Sequence, residues 1–216
     1  MKLLSVGLAR AFWFMDVNEL NPHGQDLFTH LFPSFVGDYK FKTYPAPGQD
    51  FKDGMKFIGG EFVKDDGTVI GLNVTVYTNG ISADTFSSTK DSEDFLKEAL
   101  DELPQIGFAF DEEMVQRREY NSQVTVKFSG RLEYLNPRLL EFANILSSVS
   151  GGIKFDTSAI ELWPDQTILN KPVNFSFQRK SGDPSDSDRY WSQAGVPTDV
   201  HLKLLQQLEV ILSKPL

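Results

Sequence analysis

Cysteine is absent from this 216-residue chain. Its absence excludes disulfides, thiolate nucleophiles, iron–sulfur clusters and Cys-ligated zinc, and with them the small secreted scaffolds that rely on such bridges. Long apolar runs are missing too, since no stretch approaches the ~20 residues that a membrane-spanning helix needs. The opening MKLLSVGLARA imitates a signal peptide through Lys2 and the Ala9-Arg10-Ala11 triplet, but its apolar run, Leu3 to Leu8, is too short for a signal core. The expected location is the cytoplasm, with no membrane partner. Basic residues are in deficit, with Lys+Arg 21 against Asp+Glu 30 and a net charge of −9. Phosphate backbones bind clustered Lys and Arg through counterion release, so this balance argues against nucleic acid. Histidine is limited to His23, His30 and His201. The phosphate-binding, dinucleotide, serine-hydrolase and zinc-peptidase signatures are all missing, which counts against the common enzyme classes and implies no cofactor.

What is present is a globular composition, 40% hydrophobic and 24% charged, in a chain long enough to bury its own core. The 18 phenylalanines exceed ordinary usage. SVGLARAFWFMDV reads as a central strand, with Phe12 and Phe14 on one face and Trp13 and Met15 on the other. GQDLFTHLF reads as a short helix that Pro33 ends or kinks, followed by a turn at Gly37 and a strand, DYKFKTY. Asp66-Gly67 and Asn79-Gly80 are hairpin turns, because glycine accepts the positive φ that tight turns demand. They join MKFIGGEFV, VIGLNVTVY and ISADTFS into three antiparallel strands. STKDSEDFLKEALDEL is helical, with Asp91 the expected N-cap and Phe95, Leu96, Ala99, Leu100 and Leu103 its apolar stripe.

Later come a strand, QVTVKFSGRLEYL, a helix, PRLLEFANILSSV, started by Asn136-Pro137, and further strands IKFDTSAIELW and PVNFSFQRK. The closing helix TDVHLKLLQQLEVIL places Val200, Leu204, Leu205, Leu208, Ile211 and Leu212 on one side. Leu-Asn-Pro occurs at Leu20 and again at Leu135, an offset of 115, and GDYKFKT at Gly37 matches GGIKFDT at Gly151 with an offset of 114. The paired offsets point to an internal duplication of a β-α-β(n)-α unit. Its halves are residues 1–106 and 107–216, expected to fold together as one compact domain. In VIGLNVTVY, Ile70, Leu72, Val74 and Val76 point inward while Asn73, Thr75 and Tyr77 point outward. The expected fold is α+β, a two-layer sandwich of an antiparallel sheet with helices on one face and water on the other. In element order this is similar to the duplicated saddle of TATA-box-binding proteins, a likeness that carries no function with it.

The leading functional reading is a non-catalytic binding protein that recognises another protein, of the inhibitor, immunity-like or complex-component kind. Its surfaces would be the polar sheet face (Asn73, Thr75, Tyr77), the acidic helix after Lys90, which suits a basic partner, and the loop ending in Arg189, Tyr190 and Trp191. A core-anchoring role for Tyr190 and Trp191 is the competing reading of that loop. The alternative is a metal-assisted or carboxylate-based hydrolase using Asp16, Glu19, His23 and His30. His23, Asp26 and His30 have metal-ligand spacing, and Asp183, Asp186 and Asp188 crowd a polar loop, but surface and loop roles are favoured for both sets. The second alternative is a cavity for a small apolar ligand between sheet and helices, suggested by the phenylalanine content. Composition leaves homo-oligomers open.

Overall fold

The computed structural model describes residues 1–47, 52–130, 132–180 and 188–213. Among them are β1 (Lys2–Phe14), α1 (Leu27–His30), α2 (Phe32–Asp38), β2 (Met55–Val63), β3 (Val69–Tyr77), β4 (Gly80–Thr85) and α3 (Thr89–Asp101). There follow β5 (Arg117–Lys127), α4 (Pro137–Val149), β6 (Ala159–Leu162), β7 (Phe175–Arg179), β8 (Arg189–Ala194) and α5 (Thr198–Leu212). The strands form one 8-stranded antiparallel sheet in the order β2-β3-β4-β1-β5-β8-β7-β6, and with the helices they make an α+β fold. The chain divides into two compact units, Leu8–Ser122 on the one hand and Met1–Gly7 with Gln123–Leu216 on the other.

In the Leu8–Ser122 unit the turn chemistry fixes the strand register. Gly67 has φ 82, and Asp66 Oδ1 accepts from Thr68 N at 2.9 Å, closing the turn between β2 and β3. The side chains that alternation directs inward, Leu72 and Val74 on β3 and Ile81 and Ala83 on β4, are buried with Ala11 and Trp13 of β1 and with Met15, which follows it. Phe95, Leu96 and Leu100 of α3 join the same core, as does Phe32 of α2. Helix α3 is tied to β1 by Ser92 Oγ, which donates to Ala9 O at 2.7 Å.

Several local expectations are corrected here. The N-cap of α3 is Ser88, whose Oγ accepts from Asp91 N at 3.1 Å and donates to Asp91 Oδ2 at 2.8 Å. Gly37 lies inside α2, and Pro33 occupies its first turn, where a missing N–H costs nothing. DYKFKTY is not a strand. Lys40 takes a left-handed φ of 52, which breaks extended pairing, and only Thr43 forms a bridge, to Ile58.

The second unit has its own core of Val124, Val126, Phe128, Leu132, Phe177, Tyr190, Leu205 and Leu212. Phe177 and Tyr190 stack almost parallel at 4.7 Å, and Phe128 packs against both. Asn136 caps α4 as expected, accepting from Arg138 N at 3.1 Å and Leu139 N at 3.3 Å. QVTVKFSGRLEYL is strand only as far as Lys127, after which Leu132–Leu135 turns as a 3-10 helix. IKFDTSAIELW pairs only over Ala159–Leu162, because its partner β7 is five residues long. On α5 the buried side is Thr198, His201, Leu205 and Leu212, whereas Val200, Leu204 and Ile211 are exposed. His201 sits in the core with its Nε2 hydrogen-bonded to the Ser192 hydroxyl at 2.9 Å, since a buried polar group needs such a partner.

Two measurements check these contacts. Phe95 is fully buried against Phe35, Tyr39 and Phe62, so Phe95→Ala is expected to lower the unfolding free energy in urea by about 3–5 kcal/mol. Burial alone would raise the pKa of Asp91, but Lys64 Nζ at 2.7 Å and hydrogen bonds from Ser87 and Ser88 outweigh it and hold the carboxylate below its usual range. A depressed carboxylate contributes stability that is present above its unfolded pKa, about 3.9, and lost as pH falls through the folded value. The stability gap between wild type and Asp91→Asn should therefore be flat near neutrality and shrink below about pH 4. A gap independent of pH contradicts this.

Candidate functional site

The Leu8–Ser122 unit encloses a cavity of about 800 Å³. Its walls come from six elements. The core-facing side chains Met55, Phe57, Val74, Val76 and Ile81 of β2, β3 and β4 form one side. Leu27 of α1, Phe32 and Phe35 of α2 and Leu31 between them form another, and Phe95, Leu96, Ala99 and Leu100 of α3, with Leu103 and Phe108, close the third. Because β-strand side chains alternate, one face of each strand can supply an unbroken apolar wall.

The aromatic wall is ordered by ring geometry. Phe57 meets Phe32 edge to face at 5.1 Å and Phe35 edge to face at 5.0 Å, with Phe41 at 5.5 Å. Such contacts favour fixed ring orientations over sliding ones, so the wall is a rigid surface. Gly60 has no side chain because a Cβ there would stand 2.5 Å from the Phe41 ring.

The mouth is polar. Asn18, Asn21, Gly24, Lys52, Gly54, Thr78 and Asn79 line it, drawn from the segment after β1, the segment before β2 and the β3–β4 turn. Here the first Leu-Asn-Pro finds its role. Leu20 is buried and lines the cavity, and Asn21 accepts from Gln25 N at 2.8 Å while donating to Gln25 O at 2.9 Å. That clamp fixes the loop before α1, and the helix itself is capped by Asp26. Gln25 in turn donates to Gly107 O at 2.8 Å. Gly54 takes φ 81, and a Cβ there would lie 2.7 Å from Thr75 Cγ2, so the rim can pass close over β3 only with glycine.

Among the described lining residues Lys52 and Tyr77 are the ionisable ones and none is a carboxylate. A space of this size with mostly apolar walls and a few polar groups has the form of a small-molecule site.

The opposite face of the same strands carries the residues expected to point outward. Phe12 stacks on Tyr77 at 5.5 Å and lies 4.3 Å from Phe14, and Arg117 sits over the Phe14 ring at 3.9 Å. Arg10 and Asp84 form a bidentate pair with both contacts at 2.6 Å. The hydrogen bond to Asp84 raises the Arg10 pKa further, so the guanidinium stays charged. Thr75 and Tyr77 are half-buried on this face, Tyr77 at the strand end also bordering the cavity, and Asn73 accepts from Gly59 N at 2.8 Å, which makes it a support for the irregular register in β2.

In the second unit Arg189, Tyr190 and Trp191 belong to β8 and are not a loop end. Tyr190 is 3% exposed and is a core residue; Trp191 is half-buried and Arg189 exposed. Asp183 and Asp186 lie outside the described residues, and Asp188 O accepts from Phe128 N at 2.9 Å. Asp16 and Asp26 are N-caps, and His23 and His30 are exposed. Among the described residues no three His, Asp or Glu side chains gather where a metal could sit.

Ser192 and His201 form a Ser–His pair that sequence reading did not find. Ser192 Oγ donates to Ser176 O at 2.9 Å, so it accepts from His201 Nε2 at 2.9 Å. Both side chains are fully buried, which closes the hydroxyl to any substrate. Among the described residues no helix is long and apolar enough to cross a membrane. No family model matches the sequence, and no curated protein matches it.

Proposed function

We propose that this protein binds a small apolar or amphipathic molecule in the cavity of the Leu8–Ser122 unit and carries out no chemistry on it. The observation that supports this most is the pairing of a cavity of about 800 Å³ with a lining that is mostly apolar. Water against such walls is unfavourable, and its displacement by hydrocarbon stabilises a complex by about 25 cal/mol per Å² of apolar surface removed from water. The polar mouth suits a ligand with one polar end. Lys52 and the amides of Asn18, Asn21 and Asn79 would face that end. The cytoplasm is the proposed location, in keeping with a cysteine-free chain.

The finer architecture is proposed with it: two layers, helices on one face, and an ancient duplication. Three observations favour the duplication. The element order β-α-β-β-β-α occurs twice if α1 and α2 are counted together. The sheet order reads inward from either edge as the same series, β2, β3, β4, β1 against β6, β7, β8, β5. Thr89, Ser92, Leu96 and Leu103 answer to Thr198, His201, Leu205 and Leu212 at a constant spacing of 109, and all eight are buried.

A second reading, recognition of a protein partner, rests on the Phe12–Phe14–Tyr77 cluster flanked by Arg10 and Arg117, since Tyr, Phe and Arg are enriched at binding hot spots. The acidic face of α3 would suit a basic partner. Co-purification of a stoichiometric protein that Tyr77→Ala or Phe12→Ala releases would support it, and recovery of the chain with no such partner from its native source would remove it.

The ligand reading is tested by titration with a fluorescent acyl-chain probe. Wild type should bind saturably, at one site. Ala99→Trp places an indole in the cavity from the solvent-tolerant side of α3 and should weaken binding at least about tenfold while far-UV circular dichroism is unchanged. Absence of saturable binding, or equal binding by a folded Ala99→Trp protein, contradicts the proposal.

A further inference from the structure

Of the large apolar side chains exposed among the described residues, half lie between Leu135 and Val173, all in the second unit. The longest element among them is α4, which buries Ala143 but leaves Phe142 54% and Val149 75% exposed. The exposed set has an order that scattered surface residues lack. With the half-buried Leu146 included, Leu135, Leu139, Phe142, Leu146, Val149 and Ile153 follow one another at alternating spacings of four and three. This is the a/d repeat of helices that pack in pairs, in which each apolar side chain seats among four of the facing helix. Within α4 itself, Leu139, Phe142, Leu146 and Val149 lie along one stripe. Gly151 and Gly152, at φ 67 and 82, turn the chain after the helix, and Ile153 N donates to Ser150 O at 3.4 Å and Phe155 N to Ser147 Oγ at 3.0 Å, which holds the exposed Ile153 and Phe155 beside the last turn.

We infer that the α4 face is a homodimer interface, formed with α4 of a second copy of the chain across a two-fold axis. Charge selects this occupant. The chain carries −9 overall, a repulsion that any contact between copies must overcome. Over Pro137–Val149, however, the charges are Arg138 and Glu141 alone, which sum to zero. A second copy meets no like-charge field there. An anionic lipid surface is disfavoured by the same facts, since interfacial helices carry a lysine- and arginine-rich polar face and α4 has a single arginine.

Area agrees. A stable interface removes about 800 Å² from each partner. The exposed apolar side chains from Leu135 to Phe155 are each 40% exposed or more and together present on the order of 600 Å², about the apolar share of an interface of that size. A two-fold axis makes the patch meet itself, so one surface supplies both halves of the interface. The helix alone, about 20 Å long, is too short to hold a pair, and the flanking segment supplies the remainder.

Sedimentation velocity of the full chain over a wide dilution range tests this. A concentration-dependent monomer–dimer equilibrium is expected for wild type, and Phe142→Glu and Leu139→Glu should both be monomeric at concentrations where wild type is dimeric. Both positions are solvent-exposed, so circular dichroism should be unchanged. Phe86→Glu, at an exposed apolar residue of the other unit, should dimerise as wild type does. A further variant exploits the absence of cysteine. In Phe142→Cys the new thiol is the sole one in the chain, and near the middle of α4 it meets its own copy, so mild oxidation should give a disulfide-linked dimer at concentrations where Phe86→Cys gives none. A wild type that is monomeric throughout overturns the inference, as does a dimer that persists in Phe142→Glu, or recruitment to vesicles in place of self-association.

Discussion

Edge-to-face packing around Phe57 is the contact on which the Leu8–Ser122 unit turns. Phe57 projects from β2 into the angle between Phe32 and Phe35 of α2, with Phe41 behind it. Rings locked at right angles keep α1 and α2 at a fixed standoff from the sheet, as aliphatic chains with several rotamers would not. On the far side, Phe95 braces α3 against Tyr39, Phe35 and Phe62. Tyr39 adds a polar tie, its hydroxyl donating to Glu98 at 3.3 Å. Burial first and the neighbouring Glu98 and Glu102 charges second push its pKa well up, so it remains a neutral donor. A second such tie joins Tyr120 to Glu93 at 2.7 Å, where burial and the carboxylate raise the phenol pKa to about 12. The cavity is the space these braces leave between the two walls. Phenylalanine usage above the norm is thus the compositional trace of a frame.

Much of this fold could be read from local chemistry. The hairpins at Asp66-Gly67 and Asn79-Gly80, the alternation in VIGLNVTVY and the Asn136-Pro137 helix start each depend on a few adjacent residues, and each stands where those residues put it. Non-local packing defeated the rest. DYKFKTY alternates like a strand, yet Tyr39 and Phe41 are buried by aromatic contacts with α2 and β2, and the left-handed Lys40 between them forbids a ladder. Tyr190 and Trp191 were ambiguous because an aromatic with a polar tip suits a core and an interface alike. Stacking on Phe177 assigns Tyr190 to the core. The cavity was legible only as an excess of phenylalanine, since a void is a property of how elements meet and leaves no motif.

The two units use similar sequences of elements to different ends. In one, the helical segment between the first two strands turns its aromatic residues onto the sheet; in the other, α4 leaves its apolar stripe in water. The Leu-Asn-Pro copies follow the same divergence. The second caps a long helix through Asn136, whereas the first clamps a cavity loop through Asn21 and leaves the capping to Asp26. On the proposed reading, a ligand site and a self-association face fall to parts that began as equivalents.

Native mass spectrometry of the chain purified under gentle conditions from its own source addresses the central claim most directly. The account predicts a stoichiometric mass excess that disappears on denaturation and is recovered in the organic extract as an apolar or amphipathic small molecule. A chain of bare mass that also fails to take up any added single-chain amphiphile would contradict it.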